Sequence, residues 1–209
     1  MTHSDDKGLV LPPTLAPFQI VLVPLYRNEE EMARTVAFSK TFAAELKAKG
    51  IRVKVDDDDT KRPGWKFAEW EMKGVPLRIA IGSRDLDNNQ LEFARRDTSE
   101  KSFVPVDERI SKAESVLNEI QINLFKKAAD FRTANSHQAD SYEEFKTMLE
   151  TKGGFIWAHW DGTKETAEKV QEETKATIRC IPEEGDMTPG KCMVTGKASE
   201  RRVIFAKAY

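Results

Sequence analysis

The densest collection of chemistry-bearing side chains is KRPGWKFAEWEMKGVPLRIAIGSRDLDNNQ, residues 61–90. Arginine, lysine, tryptophan and carboxylates are interleaved there beside an apolar run. Unpaired RNA bases are held by such mixtures: aromatic or guanidinium planes stack on the ring, and charged groups meet its edges. Guanine offers N7 and O6 as acceptors, which suit Arg or Lys. Its pairing edge offers N1–H and N2–H as donors, which suit Glu or Asp. Lys66, Glu69 and Arg84 are therefore candidate readers of a guanine. A second reading stays open, because residues 52–101 hold eleven Lys/Arg and eleven Asp/Glu. That balance also suits a solvated face laced with salt bridges.

Other clusters point to less. Trp65 and Trp70 are five residues apart and do not share a helical face; Trp70 is expected in the core and Trp65 partly exposed. Asp56 to Asp59 put four carboxylates in a row. Consecutive side chains diverge and lack a ligand scaffold, so a turn is expected there rather than a divalent-metal site. His3, His137 and His159 are far apart, and no Cys/His or Ser/His/Asp arrangement is evident. Gly153-Gly154 is not a phosphate loop.

The elements that would position these groups follow from periodicity. FQIVLVPL at 18–25 has the length of a strand. Asn28 then caps a helix, with Glu31 completing a capping box. Met32, Val36, Ser39, Ala43 and Leu46 recur at helical spacing, and Gly50 ends the helix. IRVKV at 51–55 is a second strand. Pro63 opens a helix that Gly74 closes. PLRIAIG at 76–82 is a third strand. LEFARR and KSFVPV flank Asp97–Glu100 as a hairpin. A long helix starts near Glu108, with Ile110, Ala113, Leu117, Ile120, Leu124, Ala128 and Phe131 as its apolar stripe. This order predicts a compact α/β domain over 18–134, with parallel pairing through the first crossovers. TANSHQAD at 133–140 reads as a polar linker to a second unit. That unit would contain a short helix (SYEEFKTMLE), a strand (FIWAHW), a helix (TKETAEKVQEETKA), a strand (TIRCIP) and a closing strand (RRVIFAKAY).

Composition sets the outer bounds. The 209 residues carry a net charge of −2, with a pI of about 6.0. There is thus no global pull toward nucleic acid, and any RNA contact must come from a local patch. Two cysteines, Cys180 and Cys192, suit a reducing, cytoplasmic setting. No apolar run reaches the roughly 18 residues of a membrane span.

Several strings are more specific than their composition: THSDDKGLVLPPTLAPFQIVLVP, GWKFAEWEMKGVPLRIAIGSRDL, EETKATIRCIP and VIFAKAY. Together, in order and nearly end to end, they resemble prolyl-tRNA synthetase of the archaeal/eukaryotic-like type. The resemblance implies an α/β class IIa anticodon-binding domain over 18–134, a mixed sheet with flanking helices. A small α+β C-terminal domain would follow over 135–209. Residues 1–17 would be the tail of the class II catalytic domain and a linker. The motifs that bind ATP, Mg²⁺ and proline would then lie upstream, and this chain alone is expected to be inactive in aminoacylation. Its implied partners are tRNA(Pro), whose anticodons share two guanines, and the catalytic domain of the parent. The intact enzyme would be a homodimer in the cytoplasm. Arg78 and Arg95, in matching strings, join Lys66, Glu69 and Arg84 as candidate tRNA-binding residues, although both could equally be structural ion pairs. The alternative is a free-standing RNA-binding or regulatory module without catalysis.

One departure stands out. Many relatives hold zinc between a C-x4-C and a C-x2-C pair, and those positions are Asp161, Thr166, Cys192 and Thr195 in this sequence. Threonine is a poor zinc ligand, so no zinc is expected; a site rescued by His159, Asp161 and Cys192 is the alternative. Cys180 is expected to be a buried small side chain. Trp157, Trp160, Ile181, Val203 and Phe205 would pack this domain in place of the metal. The resemblance also implies that the Tyr209 carboxylate packs toward the catalytic domain, against the alternative of a frayed end.

Overall fold

The computed structural model describes residues 3–185 and 187–207. The chain forms two compact units, Met1–Lys127 and Ala128–Tyr209. The first opens with a small antiparallel pair, β1 (Ser4–Asp5) and β2 (Gly8–Leu9). Then follow β3 (Ile20–Leu25), α1 (Glu29–Ala48), β4 (Val53–Val55), α2 (Pro63–Met72), β5 (Leu77–Gly82), α3 (Ser83–Asp87), β6 (Gln90–Arg95), β7 (Lys101–Pro105) and α4 (Arg109–Ala134), whose residues from Ala128 on belong to the second unit. Five strands form one sheet in the order β4-β3-β5-β6-β7. β3 pairs parallel with β4 and β5, while β6 and β7 run antiparallel. The α/β order and first parallel pairings expected from the pattern, and the mixed sheet implied by the resemblance, are observed.

Local chemistry fixes these elements. Asn28 Oδ1 accepts the Glu31 N–H at 2.8 Å, and the Glu31 carboxylate reaches back to the Arg27 N–H at 2.9 Å. Glu29, Glu30 and Glu31 also favour the positive end of the α1 dipole. Gly74, with φ +71°, closes α2; a Cβ there would sit 2.6 Å from Leu9 Cβ, so only glycine lets β2 approach this closely.

The two faces of the sheet are covered unequally. On one, Ile20, Leu22, Ile79, Leu91 and Phe93 pack with Phe42 and Leu46 of α1 and Leu117 and Ile120 of α4. On the other, Val21 and Val23 pack under Trp70 of α2 and Val75, with Phe67 at the margin. Trp70 is thus core and Trp65 exposed, as their spacing suggested. The part of this second face that belongs to β6 and β7 carries half-buried Glu92 and Ala94 and exposed Lys101 and Phe103.

The second unit contains β8 (Ser136–Ala139), α5 (Tyr142–Thr151), β9 (Phe155–His159), α6 (Lys164–Thr174), β10 (Ala176–Cys180), β11 (Gly190–Lys191), β12 (Ala198–Ser199) and β13 (Arg202–Lys207). Its main sheet has the order β10-β13-β9-β8, and β11 pairs with β12. Ile156, Phe145, Val170, Val203 and Phe205 fill its core, with Trp160 against it.

Several expectations need correction. TANSHQAD is not a linker: the helix runs to Ala134, and Ser136–Ala139 pairs parallel with β9. Its strand is polar because it is an outer strand that buries only Ala139. Cys180 is exposed, not buried, because it ends the outer strand β10 at an irregularity in register. Ile181, just past that end, is exposed as well and does not help to pack the unit. Tyr209 lies outside the described residues.

Candidate nucleic-acid interface

The five candidate residues separate sharply. Lys66 is buried: its Nζ donates to the Asp56 carbonyl at 2.8 Å and lies 3.4 Å from Asp56 Oδ1. Asp56 Oδ2 in turn accepts the Trp70 indole N–H at 2.7 Å. Lys66 and Trp70 are four apart on α2 and share its inner side, so this lysine braces the acidic loop from beneath and is not a surface reader. The same contact turns Asp56 inward, so the four carboxylates of Asp56–Asp59 do not all face solvent. Glu69 is neutralised between Lys73, at 2.6 Å, and Lys61, at 3.6 Å. Arg84 is exposed on α3, beyond the far end of β5 from Arg78. From Arg78 to Gly82 the strand alone spans roughly 13 Å. With Lys66 beneath the surface, Lys66, Glu69 and Arg84 do not form one exposed set of readers.

Arg78 is placed differently. Its guanidinium lies 3.7 Å from the centroid of the Phe67 ring, and its Nη2 donates to Glu92 Oε1 at 3.1 Å. Its Nη1 is buried and, among the described residues, has no hydrogen-bond partner. Burial lowers the pKa of this guanidinium, against the raising effect of Glu92; arginine stays charged regardless. Arg95 is fully engaged: Nε and Nη2 grip Asp97 at 3.0 and 2.8 Å, and Nη1 reaches Glu119 at 3.0 Å. The hydrogen bond to Asp97 raises its pKa despite desolvation. Arg95 stands opposite Leu77 in register, so its clasp with Asp97 and Glu119 of α4 lies on the other face of the sheet from Arg78.

Register explains what surrounds Arg78. Arg78 stands opposite Ala94, and Ala94 opposite Lys101, so the three form a row across β5, β6 and β7. In a neighbouring row Glu92 stands opposite Phe103. Paired residues lie on the same sheet face. A pocket of about 300 Å³ opens over the first row, bordered by Phe67, Glu71, Arg78, Arg95 and Lys101. That volume is at the lower end for small-ligand sites and suits a single base. A free guanidinium N–H and a lysine ammonium would meet acceptors, while Glu71 and Glu92 would meet donors. Phe103 is 59% exposed at the end of the second row, where a ring could stack.

Sequence reasoning missed Glu71, Glu92, Lys101 and Phe103. The alternation Lys101-Ser102-Phe103-Val104 on a hairpin strand was the available signal, since Lys101 and Phe103 must share the face opposite Val104. Among the described residues no group of three or more His, Cys, Asp or Glu converges to hold a metal ion. No helix among them is long and apolar enough to cross a membrane.

Residues 19–115 match a family model described as an anticodon binding domain, and residues 142–209 match one described as prolyl-tRNA synthetase, C-terminal. The first unit is thus the anticodon-binding module of an aminoacyl-tRNA synthetase. All 209 residues of the chain align with the proline–tRNA ligases of Porphyromonas gingivalis and Parabacteroides distasonis, each at 58% identity. The proline–tRNA ligase of Cytophaga hutchinsonii aligns over the same 209 residues at 57%. The chain belongs to the prolyl-tRNA synthetase family, of which it carries the anticodon-binding and C-terminal domains. It spans about 42% of the length of the P. gingivalis relative.

Proposed function

We propose that the open half-face around Arg78 binds an unpaired guanine of the tRNA(Pro) anticodon, as the recognition part of a proline–tRNA ligase. In this reading proline activation with ATP and Mg²⁺, and esterification of the tRNA, belong to the rest of the synthetase. That enzyme works in the cytoplasm as a homodimer. The carrying observation is the buried Nη1 of Arg78, which has no hydrogen-bond partner among the described residues. A buried N–H without an acceptor loses about 1–3 kcal/mol, which a ligand acceptor placed there would recover. Lys101 would supply a second donor toward O6 or N7, and Glu71 or Glu92 would accept from N1–H and N2–H. Of the sequence candidates, Arg78 becomes the principal reader, while Arg95 serves as an ion-pair clasp on the other sheet face. Arg84 and Glu69 fall outside the pocket, and Lys66 lies beneath the surface.

The test is titration of the chain with tRNA(Pro) transcripts in which each anticodon guanine is changed to adenine. A bidentate base contact is worth about 1–3 kcal/mol of discrimination, so at least one change should weaken binding roughly 5- to 150-fold. Arg78→Lys should abolish that preference while leaving affinity for the altered transcript nearly unchanged. Equal affinity for all transcripts would refute the reading.

A further inference from the structure

The resemblance calls for a zinc ion in the second unit, and the residues at its four positions do not fit one. Structural zinc takes four thiolate or imidazole ligands in a tetrahedron. The side chains at those positions are a carboxylate, two alcohols and one thiol: Asp161, Thr166, Thr195 and Cys192. The carboxylate is already saturated by hydrogen bonds. Asp161 Oδ1 accepts from the Thr163 hydroxyl at 2.8 Å and from the Thr163 N–H at 3.2 Å. Asp161 Oδ2 accepts from the Thr195 hydroxyl at 2.8 Å and the Thr166 hydroxyl at 3.0 Å. A metal would have to displace donors that already compensate the charge.

These bonds join three pieces of chain. Asp161 follows β9. Thr163 is the N-cap of α6, and Thr166 lies in its first turn, so the carboxylate also faces the positive end of that helix. Thr195 belongs to the turn between β11 and β12. That turn is closed by Gly196 N–H to the Cys192 carbonyl at 2.9 Å and tied to β9 by Met193 N–H to the His159 carbonyl at 3.0 Å. Cys192, in the same turn, is buried.

We propose that Asp161 takes the structural place of a metal: a carboxylate hub, closed by the hydroxyls of Thr163, Thr166 and Thr195, that holds the β11–β12 turn to the start of α6 in a zinc-independent unit. One carboxylate bonded to three hydroxyls joins the same segments that four zinc–ligand bonds would join. Charge-assisted hydrogen bonds are individually about twice as strong as neutral ones, which makes the exchange feasible.

The chain is purified from zinc-supplemented culture, its metal content is counted by mass spectrometry, and its thermal unfolding is recorded with and without EDTA. No stoichiometric zinc and no effect of EDTA are expected. Asp161→Ala should speed hydrogen exchange at the Thr163 and Thr166 amides about tenfold or more. If that variant does not fold, Asp161→Asn, which keeps one acceptor oxygen, carries the same measurement. Combining Asp161→Cys, Thr166→Cys and Thr195→Cys with the native Cys192 should create a site that binds one Co²⁺, with thiolate-to-cobalt absorption. One zinc per native chain, whose removal lowers the unfolding temperature, would overturn the proposal. So would a folded triple variant that takes up no cobalt, or unchanged exchange in both Asp161 variants.

Discussion

Lys66 offers a direct test, because burial and base reading demand opposite outcomes from the same substitution. Lys66→Met keeps the apolar stem and removes the ammonium. Lys66 is 2% exposed and Asp56 8%, so the pair is largely shielded from solvent. At 3.4 Å their attraction is about 5 kcal/mol for an effective dielectric constant near 20. The desolvation of two ions offsets much of that in the intact pair. Removing one partner, however, leaves the other charge buried, which typically costs about 3–5 kcal/mol. The Trp70 N–H still reaches Asp56 and keeps the loss toward the lower figure. Adding Asp56→Asn removes the stranded charge while retaining an acceptor for Trp70, so the double variant should be more stable than Lys66→Met alone. Urea unfolding followed by tryptophan fluorescence reads the cycle, with a lower midpoint and unchanged slope expected. At concentrations of urea where the variant is folded, its preference among anticodon transcripts should equal that of the native chain. A Lys66→Met protein within about 1 kcal/mol of native stability that no longer discriminates guanine would refute the reasoning.

Two further outcomes follow from side chains at the rim of the site. Phe103→Ala should weaken RNA binding by about 1–3 kcal/mol if a base stacks on the ring. It should barely change the unfolding midpoint, since the ring is already 59% exposed; fluorescence anisotropy and urea unfolding measure the two separately. Asp97 supplies a pH signature. Burial works to raise its carboxyl, but hydrogen bonds from Arg95 and Asn123 outweigh burial and hold it below the usual carboxylate range. Its folded pKa is therefore lower than the unfolded value of about 3.9. Its contribution is complete above that value and is lost as pH falls through the folded pKa. Native protein should lose stability below about pH 4 more steeply than Asp97→Asn, as read by circular dichroism in urea at successive pH values.

Much of the scaffold was legible because its signals are local. The Asn28–Glu31 cap, the apolar runs of β3 and β5 and the β6–β7 hairpin each depend on neighbours within a few residues. What escaped depends on distant ones. A lysine inside the polar string KFAEWE reads as solvated, and nothing nearby announces that it is buried against Asp56, ten positions back. Arg78 in LRIAIG reads as an interruption of an apolar strand. The resemblance names Arg78 as a candidate, but its surroundings emerge only when Phe67 of α2 supplies a ring against its guanidinium and Ala94 of β6 leaves room beside it. SHQA has no apolar alternation, and only its pairing with β9 makes it a strand.

Helix size explains why the site lies where it does. Strands stand about 4.8 Å apart, so five of them span roughly 19 Å between the outer axes. One helix with its side chains is about 10–12 Å wide and shields two or three strands. α1 and α4 together cover one face, where an apolar cluster runs from β4 to β7. α2 packs over β3 on the other face. The strands it does not reach must present side chains that tolerate water, and β6 and β7 accordingly show Glu92, Ala94 and Lys101 there. Arg78 sits at the boundary, with Phe67 of α2 on one side of its guanidinium and the open strands on the other. A buried, unsatisfied N–H can persist at such an edge because an incoming base needs only to approach along the uncovered strands. Lengthening α2 or adding a second helix over β6 and β7 would bury the row and close the pocket. The partial covering of this face is therefore what leaves the sheet the open pocket in which the proposed base would be held.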